Sequence, residues 1–222
     1  RNAPRTIPEE SAMPVAHPES IGIIGAGKLG RTLASLSLAA GFSVLLHGSG
    51  PRARTARIIE TFAPGAVAAT LDEVVAADIV VLAIGLSDAE ELDSALFHGV
   101  VVDPMNYWEE ADGPRPDFDD AAMPTSVLVK RWLPGASVVK AFNHVAYRDL
   151  AGGSRRAGDP HRWGIAVVAD DTRSAAIVAA WVDALGFDPV VIEDLASTYA
   201  LQPGQALFGA TLSSAELRRQ LG

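Results

Sequence analysis

Three glycines, Gly25, Gly27 and Gly30, have the spacing Gly-x-Gly-x-x-Gly and follow an apolar run that begins at Ile21. In this pattern the first glycine permits a tight turn, the second lets the backbone approach a diphosphate, and the third lets a helix pack closely on the strand. The N-terminus of that helix offers unpaired N–H groups and a partial positive charge to phosphates. The segment predicts dinucleotide binding; the alternative is a strand–turn–helix with a purely structural role.

A second informative segment is the tip that follows the strand expected at residues 42–47. In NAD-binding sites of this kind an acidic residue at this tip binds the ribose hydroxyls. No acidic residue occurs between residues 42 and 59; the tip after residue 47 contains a serine and three arginines, Ser49, Arg52, Arg54 and Arg57. Because guanidinium groups bind phosphate through bidentate, charge-assisted contacts, we expect NADP rather than NAD, with Arg54 and Arg52 ahead of Arg57. The alternative is a solvated basic face on a helix.

A parallel sheet is needed to bring these segments together. Apolar, strand-like runs alternate with helical patterns along the chain, which predicts an α/β fold with a doubly wound, mainly parallel sheet. The expected strands are residues 20–24, 42–47, 66–69, 78–84, 100–102, 136–142, 164–169 and 188–192. The expected helices are residues 28–40, 71–76, 125–133, 172–185, 194–199 and 213–221.

Ligands of such folds bind at the carboxyl ends of the parallel strands. Ile84 and Gly85 end one strand, and we expect them to flank the adenosine or the ribose. Met105 and Asn106 follow another strand and are candidates to contact the nicotinamide, and Asn143 follows a third. These strand ends therefore complete the predicted cofactor site.

Composition excludes several other classes of protein. The chain of 222 residues has a net charge of −9, so we expect neither a nucleic-acid nor a membrane partner. It has no cysteine, which excludes disulfides and thiolate catalysis, and no apolar run approaches the roughly 20 residues of a membrane span. Residues 1–17 are rich in proline and polar residues and lack the apolar segment of a secretory signal. We expect them to form an N-terminal extension, and the protein to be cytoplasmic.

Five stretches of the chain resemble the coenzyme F420-dependent NADP oxidoreductases. They are Ile-Gly-Ile-Ile-Gly-Ala-Gly-Lys-Leu-Gly at 21–30, Asp-Pro-Met-Asn at 103–106, Leu-Pro-Gly-Ala-Ser-Val-Val-Lys-Ala-Phe-Asn at 133–143, Ala-Asp-Asp at 169–171 and Ala-Leu-Gly-Phe-Asp-Pro-Val at 184–190. The resemblance implies a Rossmann domain at 18–142 with a small C-terminal α/β part at 143–222. It also implies hydride exchange between NADPH and the deazaflavin F420, and a possible homodimer.

The resemblance also implies roles for individual residues. Those expected to line the diphosphate are Ala26, Gly27, Lys28 and Leu29. Ser49 and Arg54 would bind the 2′-phosphate, and Ile84, Asn106 and Ala141 would lie along the cofactor. The chain departs from the family pattern at Gly50, where relatives usually have arginine, and at residues 85–87, where many have a proline and an aromatic residue.

Hydride transfer between two stacked rings needs no protein acid or base at the reacting carbons, so we name no catalytic residue. Two other functions stay open: an NADPH reductase of another small acceptor, such as a flavin, an imine or a keto acid, and a non-catalytic NADP-binding redox sensor. A basic loop, Arg155, Arg156, His161 and Arg162, could bind the phosphate and carboxylates of an F420 tail. The alternative for this loop is simple solvation.

Overall fold

An eight-stranded sheet runs through the whole structure, a computed structural model that describes residues 18–118 and 123–221. The N-terminal extension expected at 1–17 lies outside the described residues. The strands are β1 Ser20–Ile24, β2 Ser43–His47, β3 Val67–Ala68, β4 Ile79–Leu82, β5 Val100–Asp103, β6 Ser137–Ala141, β7 Gly164–Val168 and β8 Asp188–Ile192. Their order is β3-β2-β1-β4-β5-β6-β7-β8. All neighbouring strands are parallel except β6 and β7.

Helices cover both faces of this sheet. They are α1 Lys28–Ala39, α2 Arg52–Phe62, α3 Leu71–Val75, α4 Leu86–Glu90, α5 Glu109–Asp112, α6 Thr125–Trp132, α7 Tyr147–Gly153, α8 Thr172–Ala184 and α9 Ser214–Leu221. Short 3₁₀ helices occur at Ser94–Leu96, Pro116–Phe118 and Leu195–Leu201. Strand order and helix placement are those of a Rossmann-type α/β fold, as the sequence predicted.

Both faces of the central strands are buried, which explains their continuous apolar sequences. In β4, Ile79 and Val81 pack in one core cluster, while Val80 and Leu82 pack in the cluster on the opposite face. The first cluster includes residues of α1, α2, α7 and α8, and the second includes residues of α3, α4 and α6.

The strands of the C-terminal part continue the same sheet. The end of β7 pairs antiparallel with β6, with Ala141 opposite Val167, and β8 then runs parallel to β7. A third core cluster, which includes Ala166 and Leu217, joins these two strands to α9. The small C-terminal part is therefore an extension of the sheet at its β6 edge.

Helix α7 is absent from the sequence prediction. Its seven residues end in Gly152 and Gly153, which are poor helix formers, so local propensity gives little signal. Leu150 is fully buried in the core cluster that includes α1 residues, and this packing stabilises the helix. Among the described residues no helix combines the length and the apolar character needed to cross a bilayer.

Candidate functional site

Two of the three patterned glycines are required by the backbone of the β1–α1 turn. Gly25 has a φ of 112°, and its N–H donates to the carbonyl of His47 at 2.7 Å. A Cβ at Gly25 would lie 2.1 Å from the Ala83 carbonyl oxygen, and one at Gly30 would lie 1.9 Å from the Gly25 carbonyl oxygen. Any larger residue at either position would clash with backbone, so these two glycines serve the fold itself.

Gly27 differs from the other two because the fold does not require it. It is the N-cap of α1, with φ −73° and ψ −171°, a conformation that any residue can adopt. A Cβ placed there meets no atom within 4 Å. No side chain caps the helix at this position, and no acidic residue occupies the first turn. The N-terminus of α1 therefore faces open space with its N–H groups and partial positive charge exposed.

One cavity, the Ser49 cavity, lies between the glycine turn and the tip of β2 and has a volume of about 300 Å³. The predicted residues in its wall are Gly25, Ala26, Gly27, Ser49, Arg54 and Ile84. Thr55 is buried beneath the tip, and a Cβ at Gly48 would lie 2.7 Å from its Oγ1. A side chain at residue 48 would therefore displace Thr55, which follows Arg54 in the first turn of α2.

Arg52 is placed differently from Arg54. Its guanidinium lies 3.8 Å from the Glu73 carboxylate, and both side chains are about half exposed. Arg52 is not part of the wall of the Ser49 cavity, whereas Arg54 is. The structure therefore puts one of the two candidate arginines beside the cavity and the other against α3.

A second cavity, the Asn106 cleft, opens above the ends of β4, β5 and β6 and has a volume of about 490 Å³. The predicted residues in its wall are Gly27, Lys28, Leu29, Ile84, Gly85, Met105, Asn106 and Asn143. Gly27 and Ile84 also line the Ser49 cavity, so the two spaces meet at the N-terminus of α1. Ala141 is fully buried in the core and Gly30 packs on Gly25, so neither is part of either wall.

Two asparagines connect the strand ends at the base of this cleft. The Asn106 amide donates to the Asn143 carbonyl at 2.9 Å, and the Asn143 amide donates to the Leu201 carbonyl at 2.9 Å and to Asn106 Oδ1 at 3.2 Å. Asn143 Oδ1 is buried and has no hydrogen-bond partner within the described part of the chain. A buried acceptor that lacks a donor is a feature that a ligand N–H group can satisfy.

A buried ion pair, missed by sequence reasoning, positions the loop that carries Met105. Lys140 and Asp103 have fully buried side chains, and Lys140 Nζ lies 3.2 Å from Asp103 Oδ2. Asp103 accepts the Met105 N–H at 2.8 Å, and Lys140 donates to the Met105 carbonyl and to Thr125. Burial lowers the pKa of Lys140, and the nearby Asp103 carboxylate opposes that shift. The available signal was a lysine inside an otherwise apolar strand.

Phe142 is part of the wall of the Asn106 cleft and has an unusual backbone conformation. Its φ of 64° is rare for a bulky residue and costs conformational energy. The ring is buried and makes an edge contact with Trp181 at 5.2 Å between centroids. This turn directs the side chain into the core while the chain passes along the Asn106 cleft to Asn143.

Two aromatic residues lie on the solvent side of the cleft. Trp108 is 45% exposed and makes an edge contact with Phe208 at 5.7 Å between ring centroids. The Asp112 carboxylate accepts the N–H groups of Trp108 and Ser87, at 3.0 and 3.3 Å, and so ties this loop to α4. Both rings are part of the described wall of the cleft.

His144 lies beside the cleft residues but faces the interior. Its Nε2 accepts the Ala166 N–H at 3.2 Å, and burial lowers its pKa from 6.5 to about 4. Neither His144 nor Lys140 lines the cleft; the titratable side chains in its wall are Lys28, Asp112 and Tyr147. The titratable groups in the described wall are therefore one ammonium, one carboxylate and one phenol.

Comparison with known proteins finds one family model that matches part of the chain. Residues 20–107 match the family described as NADP oxidoreductase, coenzyme F420-dependent. The resemblance to this oxidoreductase family is therefore confirmed. The matched segment runs from β1 through the Asp-Pro-Met-Asn loop. It includes the described lining of the Ser49 cavity and part of the wall of the Asn106 cleft. A comparison with functionally curated proteins finds no significant match.

Solved structures show the same fold over most of the chain. A hypothetical protein from Sinorhizobium meliloti is 25% identical, with a TM-score of 0.77, over 89% of this chain and 96% of its own. A proposed F420-dependent NADP reductase from Arthrobacter sp. FB24 is 22% identical, with a TM-score of 0.65, over 83% and 88%. An imine reductase from a Pseudomonas species is 16% identical, with a TM-score of 0.53, over 82% and 58%.

Proposed function

We propose that this protein is an NADP(H)-dependent oxidoreductase that exchanges a hydride between NADPH and a deazaflavin of the F420 type. The observation that carries the proposal is the open N-cap of α1, where Gly27 leaves room that the fold does not need. A helix N-terminus without a side-chain cap or a first-turn acid is suited to a diphosphate. The matched family supplies the class of acceptor.

The residues present fit the parts of NADP. Gly27, Lys28 and Leu29 would hold the diphosphate at the start of α1, and Ser49 with Arg54 would hold the 2′-phosphate in the Ser49 cavity. The buried, unpartnered Oδ1 of Asn143 could accept a carboxamide N–H at the base of the Asn106 cleft. The diphosphate, the 2′-phosphate and the carboxamide thus each have a group of matching chemistry.

When bound, the nicotinamide supplies the hydride, and the deazaflavin ring accepts it or returns it. The protein's own contribution is orientation and the exclusion of water. The Lys140–Asp103 pair fixes the backbone of Met105, and the paired asparagines join two strand ends, so the base of the cleft is held from several directions. Trp108 and Phe208 offer apolar surface at the mouth, where a second ring would enter. Such positioning can supply much of the rate enhancement of a bimolecular reaction.

A second candidate is an NADPH reductase of a cationic small acceptor such as an iminium ion. It is favoured by Asp112, a carboxylate in the cleft wall that is held by the backbone N–H groups of Ser87 and Trp108. This carboxylate lies beside the residues 85–87 where the chain departs from the family pattern. A positive charge on an acceptor would gain Coulomb energy there.

Anaerobic stopped-flow mixing of NADPH with F420 tests the proposal. We expect the deazaflavin absorbance to decrease as NADPH is oxidised, in a one-to-one ratio, and Gly27→Val to abolish both changes. Oxidation of NADPH by cyclic imines with no change in the deazaflavin band would support the second candidate instead. NADPH binding with no turnover of any acceptor, including flavins and keto acids, would indicate a redox sensor.

A further inference from the structure

A third cavity, the Arg31 groove, lies on the outer side of α1 and has a volume of about 400 Å³. Lys28, Arg31, Thr32 and Ser35 line it from α1, and Phe62 and Tyr147 line it from α2 and α7. Lys28 and Tyr147 are also part of the wall of the Asn106 cleft, so the groove begins where the cleft ends. Nothing in the cofactor site described above accounts for it.

The charge of the groove is opposite to that of the chain. The protein has a net charge of −9, yet the described residues that line the groove include two cations and no carboxylate. Lys28 Nζ lies 5.6 Å from the centre of the Tyr147 ring, and the Arg31 guanidinium carbon lies 3.8 Å from the centre of the Phe62 ring. Stacking of this kind orients a guanidinium while leaving its N–H edge available for an anion.

The length and lining of the groove fit an extended, polar ligand. From Lys28 to Leu36 the α1 backbone rises about 12 Å, at 1.5 Å per residue. Ser35 lies in the groove one turn beyond Arg31, and Phe62 and Tyr147 are 50% and 37% exposed. Anionic groups on a chain with apolar segments would find a cation, a hydroxyl or a ring surface at each step.

Two of the four residues of the basic loop that the sequence suggested for this role make structural contacts, while Arg156 and His161 are exposed. Arg162 is buried, and its guanidinium lies within 3.2 Å of the carboxylates of Asp183 and Asp188. The Arg155 guanidinium donates to the carbonyls of Gly152 and Ser154. These two arginines stabilise the C-terminal part of the sheet and the end of α7.

We propose that the Arg31 groove binds the anionic tail of the hydride acceptor, which bears a phosphate and carboxylates, while the acceptor ring lies in the Asn106 cleft. This inference rests on the proposed function, because it assigns a place to one part of the same acceptor. Lys28 stands at the passage between the two cavities, and Arg31 is the principal ligand of the tail.

The test compares F420 with a tail-less deazaflavin that keeps the ring and the ribityl chain. For Arg31→Gln we expect the KM of F420 to rise about tenfold, the loss expected for one charge-assisted contact. The KM values of the tail-less compound and of NADPH should stay unchanged, and Arg31→Lys should recover part of the loss. Arg218→Gln, on the exposed surface of α9, removes the same charge elsewhere and should have no effect.

Three outcomes would overturn this inference. An equal rise for both deazaflavins would mean that Arg31 acts on the ring or the fold, and no rise for either would mean that the tail lies elsewhere. Wild-type protein that turns over the tail-less compound as well as F420, with equal KM values, would show that no tail subsite exists. By contrast, wild-type protein that reduces neither deazaflavin would refute the proposed function and this inference together.

Discussion

Lys140 and Asp103 form an ion pair in the interior of the sheet, 3.2 Å between Nζ and Oδ2, with both side chains fully buried. The two residues are opposite each other on β6 and β5, and together they bind the N–H and the carbonyl of Met105. The pair therefore does more than satisfy its own charges, because it fixes the backbone at the edge of the Asn106 cleft.

Lys140→Met should destabilise the protein strongly. Removal of one partner leaves the Asp103 carboxylate buried without its cation, which typically costs about 3–5 kcal/mol of the free energy of unfolding. Denaturation by urea, followed by circular dichroism, would measure this loss. The Met105 loop should also lose its fixed position, so the affinity for NADPH should decrease in the fraction that remains folded.

The matched control for that experiment is Lys130→Met. Lys130 pairs with Asp170 at the surface, where both side chains are about half exposed. Exposed pairs contribute about 0–1 kcal/mol, so the control should be close to wild type in stability. Equal losses for the two variants would show that burial of the Lys140–Asp103 pair has no special importance.

Gly27→Val should separate binding from folding. A Cβ at this position meets no protein atom within 4 Å, so the unfolding midpoint should change little. It would enter the space at the N-terminus of α1 and displace a diphosphate, with the loss of about two charge-assisted contacts and so a more than hundredfold decrease in NADPH affinity. Isothermal titration calorimetry and thermal unfolding, performed on the same preparation, would measure both effects.

Gly30→Ala is the contrasting variant. Its Cβ would lie 1.9 Å from the Gly25 carbonyl oxygen, and the resulting overpacking should cost about 1–3 kcal/mol of stability. A Gly30→Ala protein as stable as wild type, or a Gly27→Val protein that still bound NADPH, would contradict the roles assigned to the two glycines.

The two arginines at the β2 tip should differ in their effect on cofactor choice. Arg54 is part of the wall of the Ser49 cavity, whereas Arg52 lies near Glu73. Arg54→Ala should weaken NADPH binding about tenfold or more and leave NADH binding unchanged, because only NADPH carries the 2′-phosphate. Arg52→Ala should have a smaller effect. Equal losses for NADPH and NADH in a fluorescence titration would contradict the assignment.

The free energy of unfolding should decrease as the pH is lowered, because His144 is buried in its neutral form. Its pKa is about 4 in the folded protein and 6.5 in the unfolded chain, so the unfolded state binds more protons between these values. The contribution is complete above pH 6.5 and decreases by about 3 kcal/mol as the pH falls to 4. His144→Gln keeps an acceptor for the Ala166 N–H but does not titrate.

The comparison of wild type with His144→Gln separates the effect of His144 on stability from that of the carboxylates, which titrate in the same pH range. We expect the unfolding free energy of wild type to lose about 3 kcal/mol more than that of His144→Gln between pH 7 and pH 4. Parallel pH profiles for the two proteins would mean that His144 is not neutral in the folded state.

Local pattern was sufficient to predict most of the fold. Strand β4 can be predicted from its continuous run of apolar residues, and the turn before α1 from its glycines. Both lie where the sequence predicts them. The residues expected at the strand ends, such as Ile84 and Asn106, follow from the rule that parallel strands end at one edge. Element type and approximate boundaries are therefore readable from short segments.

Contacts between residues that are far apart in the sequence could not be predicted from local pattern. A lysine in β6 acquires its role only when the sheet brings Asp103 beside it, and Trp108 meets Phe208 only through the C-terminal part. The difference between Arg52 and Arg54 depends on the direction in which each leaves the first turn of α2. Likewise, Gly27 is distinguished from Gly25 and Gly30 by the atoms around a missing Cβ, which the motif does not reveal.

The central claim is that NADP lies across the ends of the sheet with its diphosphate on the N-terminus of α1. A crystal structure of the protein with saturating NADP⁺ tests it most directly. We predict density from the Ser49 cavity to the Asn106 cleft, with the diphosphate against Gly27 and the 2′-phosphate beside Ser49 and Arg54. A dinucleotide bound elsewhere, or a cleft filled by the protein's own side chains in the presence of NADP⁺, would contradict the claim.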